Sequence, residues 1–245
     1  MILKPKIIYL DIFITLILYS LLNPYILFKN KIQQENTPPA VKIIFPKNNS
    51  LFDFNAPINY EISVADKEDG NSKYDEINGK EVLLEVRHIA KLPAANTVVQ
   101  PDAPGIAIMR ISNCFNCHNF NGKAIGPSFY DIGKKYPATK PNIDTLIKHI
   151  KDGSSGTWGK EKMPTHTELT AEEIKTTVQW ILKHATDPDF NYFIGLNGSF
   201  RIKQPVNPKP NSVYLLTASY LDHGLKNAPG TQRLKGEDVV VINNR

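Results

Sequence analysis

Two cysteines and a histidine stand close together near the middle of the chain. Cys114 and Cys117 are separated by two residues, His118 follows directly, and the chain contains no other cysteine. C-x-x-C-H is the attachment signal for c-type haem, in which both thiols bind the porphyrin and the histidine ligates the iron. A zinc site would need further ligands at short spacing, and a thioredoxin-like site would need a surrounding βαβ pattern. The sequence therefore predicts one covalently bound haem c.

A haem iron bound by one histidine has either a sixth ligand or an open position. Three methionines are available: Met1, Met109 just before the cysteines, and Met163 on a later loop next to a proline. A thioether on a rigid loop favours a stable bond to iron, and methionine raises the reduction potential relative to histidine. Met163 is therefore the predicted sixth ligand, with a gap-filling core residue as its alternative role. His166 and His149 are the next candidate ligands.

Residues 104–185 resemble a class I, monohaem cytochrome c domain of the small bacterial type. The resemblance is carried by a first helix, a Gly-Pro turn, a distal loop and a last helix, at 105–110, Gly126-Pro127, Trp158-Gly159 with Met163-Pro164, and 169–184. It implies that the carbonyl of Pro127 accepts the N–H of His118. It also implies that haem is bound by Cys114, Cys117, His118, Pro127, Trp158 and Met163, with His118 and Met163 on the iron.

Helical periodicity in the same segment agrees with an all-α domain. Thr170 and Glu173 predict a capping box, and apolar residues after it recur at helical spacing on one face, with Trp180 at its edge. Further helices are predicted over 143–151 and 128–136. Family members commonly have an aromatic residue where this chain has Ile106, which leaves the packing partner of Trp180 open.

The parts of the chain on either side of this segment have a β pattern. Strands are predicted before it and after it, at 41–46, 57–64, 81–87, 199–203, 212–220 and 238–242. Neither set is large enough for a sandwich alone. The two sets resemble the opening and the closing strands of bacterial immunoglobulin-like domains of the PKD or cadherin-like sort.

We therefore predict a multidomain α plus β fold, in which the all-α cytochrome c domain, 104–185, is inserted in one immunoglobulin-like β-sandwich formed by 38–93 and 194–245. An exposed loop with close ends tolerates such an insertion, and few contacts are expected to cross the junctions. The alternative is a separate N-terminal sandwich fragment with a C-terminal β appendage. Residues 94–104 are typical of a linker.

An acidic cluster follows the second predicted strand, at Asp66, Glu68, Asp69, Asp75 and Glu76. Hard oxygen ligands at this density could bind calcium. The spacing does not match an EF-hand loop, and a solvated turn between strands is the favoured interpretation.

The first 31 residues form a targeting segment. Lys4 and Lys6 precede an apolar run over 7–28, and Lys29 and Lys31 close it. The length of the run and the lack of a small-x-small site favour an uncleaved membrane anchor over a cleaved signal peptide. In either case the body is expected to be periplasmic or otherwise extracytoplasmic, where the cytochrome resemblance also implies that haem is attached.

The chain is basic, with a formal net charge of +5 at pH 7. Lys160 and Lys162 flank the proposed ligand Met163, and a basic ring about an exposed haem edge would steer acidic redox partners. Ordinary solubility charge is an equal alternative. Nucleic acid is excluded as a partner because the basic residues are not interleaved with a readable binding motif.

Two classes of function remain open. The favoured one is an electron-transfer protein, not an enzyme, that passes electrons from a periplasmic dehydrogenase to an oxidase or another cytochrome. The alternative is an extracytoplasmic binding module, in which the sandwich docks a glycan or a protein and the haem is an accessory or sensory element. An enzyme such as a peroxidase would need an open iron or a second haem motif.

Overall fold

A computed structural model describes residues 35–89, 101–205, 212–228 and 230–245. The predicted targeting segment, 1–31, lies outside these ranges, as does most of the predicted linker. Within the described ranges, no helix is both long enough and apolar enough to cross a membrane. The described residues from Asn36 to Arg245 belong to one unit.

The central part of the chain is helical, as predicted. Its four described α-helices are α1 (Pro104–Ile111), α2 (Phe129–Lys135), α3 (Lys140–Asp152) and α4 (Ala171–His184). Local sequence explains where they begin. Ser128 accepts the N–H of Asp131 at the start of α2, and Thr170 and Glu173 form the predicted reciprocal capping box of α4.

Strands flank the helices on both sides of the chain. The described strands are β1 (Ala40–Phe45), β2 (Ser50–Phe52), β3 (Ile58–Asp66), β4 (Gly70–Asn71), β5 (Leu83–Ile89), β6 (Phe190–Ile194), β7 (Asn197–Phe200), β8 (Val213–Leu221) and β9 (Lys235–Asn244). One sheet has the order β1-β3-β4, with β7 also paired to β3, and the other has the order β2-β9-β8-β5-β6. The sequence analysis predicts six of these strands and misses β2, β4 and β6.

Each sheet joins strands from before and after the helical segment. In the first sheet, β3 pairs with β7 in antiparallel register from Ile58↔Phe200 to Glu61↔Asn197. In the second, β5 lies between β6 and β8 and is antiparallel to both. One hydrophobic core lies between the sheets, and it includes Ile62 and Val64 from the first sheet and Leu216 and Tyr220 from the second. The two flanks of the chain therefore build a common core.

Strand β5 is buried on both faces. Leu84 and Val86 belong to the core between the sheets, whereas Leu83 belongs to a second cluster that contains residues of the helical segment. The other members of that cluster are Ile106, Met109, Phe115, Phe120, Phe129, Trp180, Ile181 and, from β6, Tyr192. The second sheet and the helices share this cluster, so side-chain contacts cross the junctions.

Aromatic side chains of β6 provide the packing partner of Trp180. The indole ring lies 6.0 Å from the ring of Phe190 and 6.1 Å from the rings of Tyr192 and Phe120, between centroids. On its other side, a Cβ atom added to Gly105 would lie only 2.4 Å from the Cβ of Trp180. The glycine therefore lets α1 and α4 cross closely, while β6 supplies the aromatic surface.

A buried ion pair adds polar contacts to the same junction. Arg110 Nε on α1 lies 2.6 Å from Asp102 Oδ2, and the two side chains are 4% and 12% exposed. The guanidinium also donates to the hydroxyl of Ser219 on β8 and to the carbonyl of Glu81. Lys235 Nζ on β9 lies 3.2 Å from the other oxygen of Asp102. Charges from both parts of the chain therefore compensate one another inside the junction.

Candidate haem site

A cleft of about 450 Å³ lies among the helices, within the usual size range of small-molecule and cofactor sites. Its walls are largely apolar, with side chains of Met109, Phe129, Ile132, Leu146, Ile150, Val178 and Ile181. All of the predicted site residues line it, namely Cys114, Cys117, His118, Pro127, Trp158 and Met163. Motifs that are far apart in the sequence therefore face one space.

A single tight turn presents the two thiols and the imidazole. Cys114–Asn116 is a 3-10 turn, and the N–H groups of Cys117 and His118 both donate to the carbonyl of Cys114, at 3.2 and 3.0 Å. Burial raises the pKa of the Cys114 thiol to about 12. A thioether carries no charge, so attachment to a porphyrin removes the electrostatic penalty that a thiolate would meet at this position.

His118 is held in one tautomer and one orientation. Its Nδ1 lies 2.7 Å from the carbonyl oxygen of Pro127, and since a carbonyl only accepts, Nδ1 donates and Nε2 carries the lone pair. The imidazole stacks on Phe129 with 5.4 Å between ring centroids. A Cβ added to Gly126 would lie 2.7 Å from its Cε1. Burial lowers the pKa of His118, which favours the neutral form that ligates metals.

Met163 lies on the loop between α3 and α4, and its backbone is fixed. Its N–H donates to the carbonyl of Ser154 at 2.8 Å, and the N–H of Ser154 donates back at 3.2 Å. Gly153, with φ +76°, leaves no room for a Cβ, which would lie 2.8 Å from the carbonyl oxygen of Met163. The N–H of His166 donates to the carbonyl of Ile150 on α3 at 3.1 Å. The loop is thus tied to the end of α3 at the methionine itself and again three residues after it.

Trp158 belongs to the same loop and is half-buried. Lys135 Nζ at the end of α2 lies 4.5 Å from the centroid of its ring, a cation–π distance. The same nitrogen lies 3.5 Å from the carbonyl oxygen of Thr157. These contacts connect the distal loop to α2 across the cleft.

The runner-up ligands and two further residues also line the cleft. His149 and His166 are both present, and Nδ1 of His166 lies 2.7 Å from Glu168 Oε1. That hydrogen bond lowers the pKa of the Glu168 carboxyl. Sequence reasoning missed Glu168 and also Thr177, whose hydroxyl is buried without a hydrogen-bond partner in the described part of the chain. Helical spacing after Ile174 was the one sequence signal that could have placed Thr177 on the cleft face.

The donor set fits a covalent haem. Two thiols, a neutral imidazole and a thioether line an apolar cleft. The buried hydroxyl of Thr177 has no hydrogen-bond partner in the described part of the chain, as expected where the cleft is shaped to hold another molecule. When bound, haem supplies an iron that gains and loses one electron. The chain itself fixes the imidazole through Pro127, places the braced loop of Met163 on the same cleft, and surrounds the cleft with largely apolar walls.

Comparisons with known proteins agree with this site. Residues 103–185 match the family model for cytochrome c. Cytochrome c-552 of Hydrogenobacter thermophilus is 42% identical over 69 residues, which are 28% of this chain and 69% of that protein. Cytochrome c-551 of Ectopseudomonas mendocina is 36% identical over 80 residues, which are 33% of this chain and 96% of that protein.

A solved structure, wild-type Nitrosomonas europaea cytochrome c552, has 33% sequence identity, covers 32% of this chain and 96% of its own, and has a TM-score of 0.31.

Fold and site together define a protein that carries haem covalently and transfers electrons. The chain belongs to the cytochrome c family, through residues 103–185. It carries haem c, and Cys114 and Cys117 form the C-x-x-C-H motif with His118.

Proposed function

We propose that the protein is an extracytoplasmic electron carrier whose haem iron is ligated by His118 and Met163. In this proposal it accepts electrons from a dehydrogenase and passes them to an oxidase or another cytochrome. The observation that carries the proposal is that Met163 lines the same cleft as His118, on a loop braced through Ser154.

The chemistry of the two side chains supports transfer more than catalysis. A neutral imidazole and an uncharged thioether would together complete the coordination of a haem iron, which would leave no position for a substrate. A thioether also favours the reduced iron relative to a second imidazole, which suits an acceptor of electrons. The backbone hydrogen bonds between Met163 and Ser154 would restrain the loop in both oxidation states, which would keep the reorganisation on transfer small.

The surroundings of the cleft suggest where a redox partner docks. Ile125 lines the cleft and is 54% exposed, an apolar side chain at its mouth. Lys160 and Lys162 are exposed beside Met163, with Glu161 between them. An apolar contact surrounded by mostly basic residues fits a partner whose own contact surface is bordered by acidic residues. We propose that the electron-donating dehydrogenase has such a surface.

We also propose that the β part is one immunoglobulin-like sandwich interrupted between β5 and β6. The groupings β1-β3-β7 and β9-β8-β5-β6 follow the A-B-E and G-F-C-C′ orders of such sandwiches. Strands β5 and β6 pair antiparallel, as the two arms of a hairpin do. The sandwich portions would then be 38–93 and 190–245, which adds β6 to the boundary predicted at 194, and they would hold the cytochrome domain in a defined orientation.

The apolar run of the first 31 residues supports a membrane-anchored location. In a bacterial host with maturation machinery, the full chain should sediment with the cytoplasmic membrane. A chain starting at residue 32 behind a cleavable signal should appear in the periplasmic fraction with its haem. Recovery of the full chain as soluble periplasmic protein would argue for cleavage instead.

The axial ligands can be tested with Met163→Ala and with Met109→Leu, a control at another methionine of the cleft. The oxidised wild type should show the weak near-infrared sulfur-to-iron band, and Met163→Ala should lose it while Met109→Leu keeps it. The reduction potential of Met163→Ala should be lower than that of the wild type by on the order of 100 mV, because the variant lacks the sulfur ligand. Persistence of the band in Met163→Ala, or loss of the sixth ligand in His166→Ala, would contradict the assignment. A wild-type haem that binds carbon monoxide readily would favour the sensory alternative.

A further inference from the structure

Among the described residues, three buried side-chain oxygens have neither a hydrogen bond nor an ion pair where β1 begins and β3 ends, away from the haem cleft. They are Asn36 Oδ1, Asp66 Oδ2 and Glu68 Oε1. Asp66 is only 8% exposed, so this member of the acidic cluster does not belong to the solvated turn that the sequence suggested. Buried oxygens without donors are costly and rare, and a group of them indicates a missing partner.

Hydrogen bonds bring these residues into one neighbourhood. Asn36 Nδ2 donates to Asp222 Oδ2 at 2.8 Å, and the neighbouring Thr37 hydroxyl donates to Glu68 Oε2 at 3.3 Å. The segment before β1 therefore lies between the loop after β3 and the loop after β8. Asp66 Oδ1 accepts the N–H groups of Glu68 and Asp69, at 2.9 and 2.7 Å. Its second oxygen is the one left without a donor.

The same neighbourhood carries negative charge without a cationic counterpart. Asp222 is fully buried, and its donors are neutral, namely Asn36 Nδ2 and the N–H groups of Gly224 and Leu234. No salt bridge of the described residues reaches Asp66, Glu68 or Asp222, whereas the nearby Asp69 pairs with His223 at 3.2 Å. Carboxylates removed from water need an opposite charge. These neutral donors orient the Asp222 carboxylate but do not neutralise its charge.

We propose that this neighbourhood is a Ca²⁺ site, with Asn36 Oδ1, Asp66 Oδ2 and Glu68 Oε1 as protein ligands. Calcium takes six to eight oxygens from carboxylates, amide or backbone carbonyls and water, in irregular geometry. Among the described residues no three acidic, histidine or cysteine side chains converge on one point, so the amide and water must complete the sphere. Two carboxylates with water predict a weak site, with Kd of about 0.1 to 1 mM, as in extracellular modules. The ion would fasten the segment before β1 to the loop after β3.

The test is thermal unfolding of the haem-loaded full chain, with about 10 mM CaCl₂ or with EGTA. Calcium should raise Tm by about 3 to 10 °C, the shifts expected at about 10 to 100 times Kd for a protein of this size. Asp66→Asn keeps the Oδ1 acceptor of the turn and should abolish the shift. Asp75→Asn, at an exposed acid of the same sequence cluster, should keep it, and the haem spectrum reports that each variant is folded.

Absence of a calcium shift in the wild type would overturn the proposal, as would equal shifts in Asp66→Asn and Asp75→Asn. A shift as large with MgCl₂ would overturn the assignment to calcium. Should Asp66→Asn fail to fold, Glu68→Gln provides the second variant, measured by calorimetric titration with CaCl₂. A loss of affinity of tenfold or more supports the site, and unchanged affinity refutes it.

Discussion

At the scale of single residues, the proximal histidine shows how neighbours prepare one side chain for a metal. Pro127 fixes the proton on Nδ1, Phe129 fixes the plane of the ring, and Gly126 makes room for it. None of these residues would touch the iron, yet each decides whether Nε2 of His118 points at it. Outer contacts of this kind are worth about 10- to 100-fold in metal affinity in other proteins.

Replacing Gly126 with alanine should therefore damage the haem site without touching a ligand. The new methyl carbon would lie 2.7 Å from Cε1 of His118 and would force the ring off its hydrogen bond. We expect a destabilisation of about 1 to 3 kcal/mol and a lower yield of covalent haem on maturation. Haem-stained gels and denaturant unfolding measure the two effects.

Gly79→Ala is the matched control for this substitution, because its added carbon would meet nothing closer than 3.8 Å. It should leave haem yield and unfolding nearly unchanged. Equal behaviour of the two variants would show that the close contact between Gly126 and His118 does not constrain the imidazole.

The thiols themselves give a second prediction at this scale. Cys114→Ala with Cys117→Ala removes both attachment points and should yield a chain without haem stain after denaturing electrophoresis. The matched control, Ser112→Ala, changes a buried residue of the same cleft and should keep the stain. A stained double variant would mean that haem attaches elsewhere.

Residue types and spacing were enough to predict several of the residues that line the cleft, but others could not be predicted from the sequence. Cys114, Cys117 and His118 follow from one motif, and Met163 follows from the scarcity of methionine. Thr177 could not be predicted, because an unpartnered hydroxyl becomes informative only when its surroundings are known. The same holds for the buried state of Asp66, which looked like a surface acid in the sequence.

At the scale of elements, the strands missed by sequence reasoning have definite physical causes. Strands β2 and β4 have three and two residues, too few to show a period. Strand β6, Phe-Asn-Tyr-Phe-Ile, packs on α4 through Phe190 and Tyr192 and on the other sheet through Phe193. A strand with apolar contacts on both faces does not alternate clearly, so the period-2 signal fails. The helices were predictable because their apolar residues recur at helical spacing, and α2 and α4 also begin at a capping side chain.

The crossing of α1 and α4 gives an element-scale prediction. Gly105→Ala would stabilise an exposed helix by about 1 kcal/mol, through propensity alone. Here its methyl carbon would lie 2.4 Å from the Cβ of Trp180, so the helices must move apart. We expect a net destabilisation of about 1 to 3 kcal/mol in denaturant unfolding.

Ala107→Ser adds one atom to the same helix at a half-buried position and serves as the control. It should cost about 0.5 kcal/mol or less. If Gly105→Ala is as stable as the wild type, close packing at this crossing is not what requires the glycine.

At the scale of the whole molecule, the buried pair of Arg110 and Asp102 connects the helical segment to the second sheet. Arg110→Met leaves the Asp102 carboxylate buried with only Lys235 to pair with. Removing one partner of a buried pair lowers the free energy of unfolding by about 3 to 5 kcal/mol. Because Lys235 still pairs with Asp102 in this variant, we expect a loss near the lower of these values. Lys140→Met, which breaks an exposed pair with Asp144, should cost less than about 1 kcal/mol. Similar losses in both variants would show that the junction does not depend on this pair.

The shared cluster at the junction also decides what the sandwich does without its cytochrome. Strands β5 and β6 pair up to Arg87↔Phe190, and the N–H of His88 donates to the carbonyl of Asp189 at 2.8 Å. The ends of the helical segment are thus as close as the two arms of a hairpin. A chain in which Asn-Gly replaces residues 89–188 should close β5 and β6 with a two-residue turn.

This shortened chain should fold as an all-β protein, measured by far-ultraviolet circular dichroism and cooperative unfolding. It should be less stable than the parent and tend to aggregate, because Leu83 and Tyr192 lose the helical side chains that cover them. Burial of a side chain the size of Leu83 is worth about 1.5 to 3 kcal/mol. Leu83→Thr with Tyr192→Thr should restore solubility without restoring that stability. Residues 35–89 alone should not fold, since their strands would lose β7, β8 and β9. A stable β domain from 35–89 alone would mean that the two flanks are independent and that the helical segment is not an insertion.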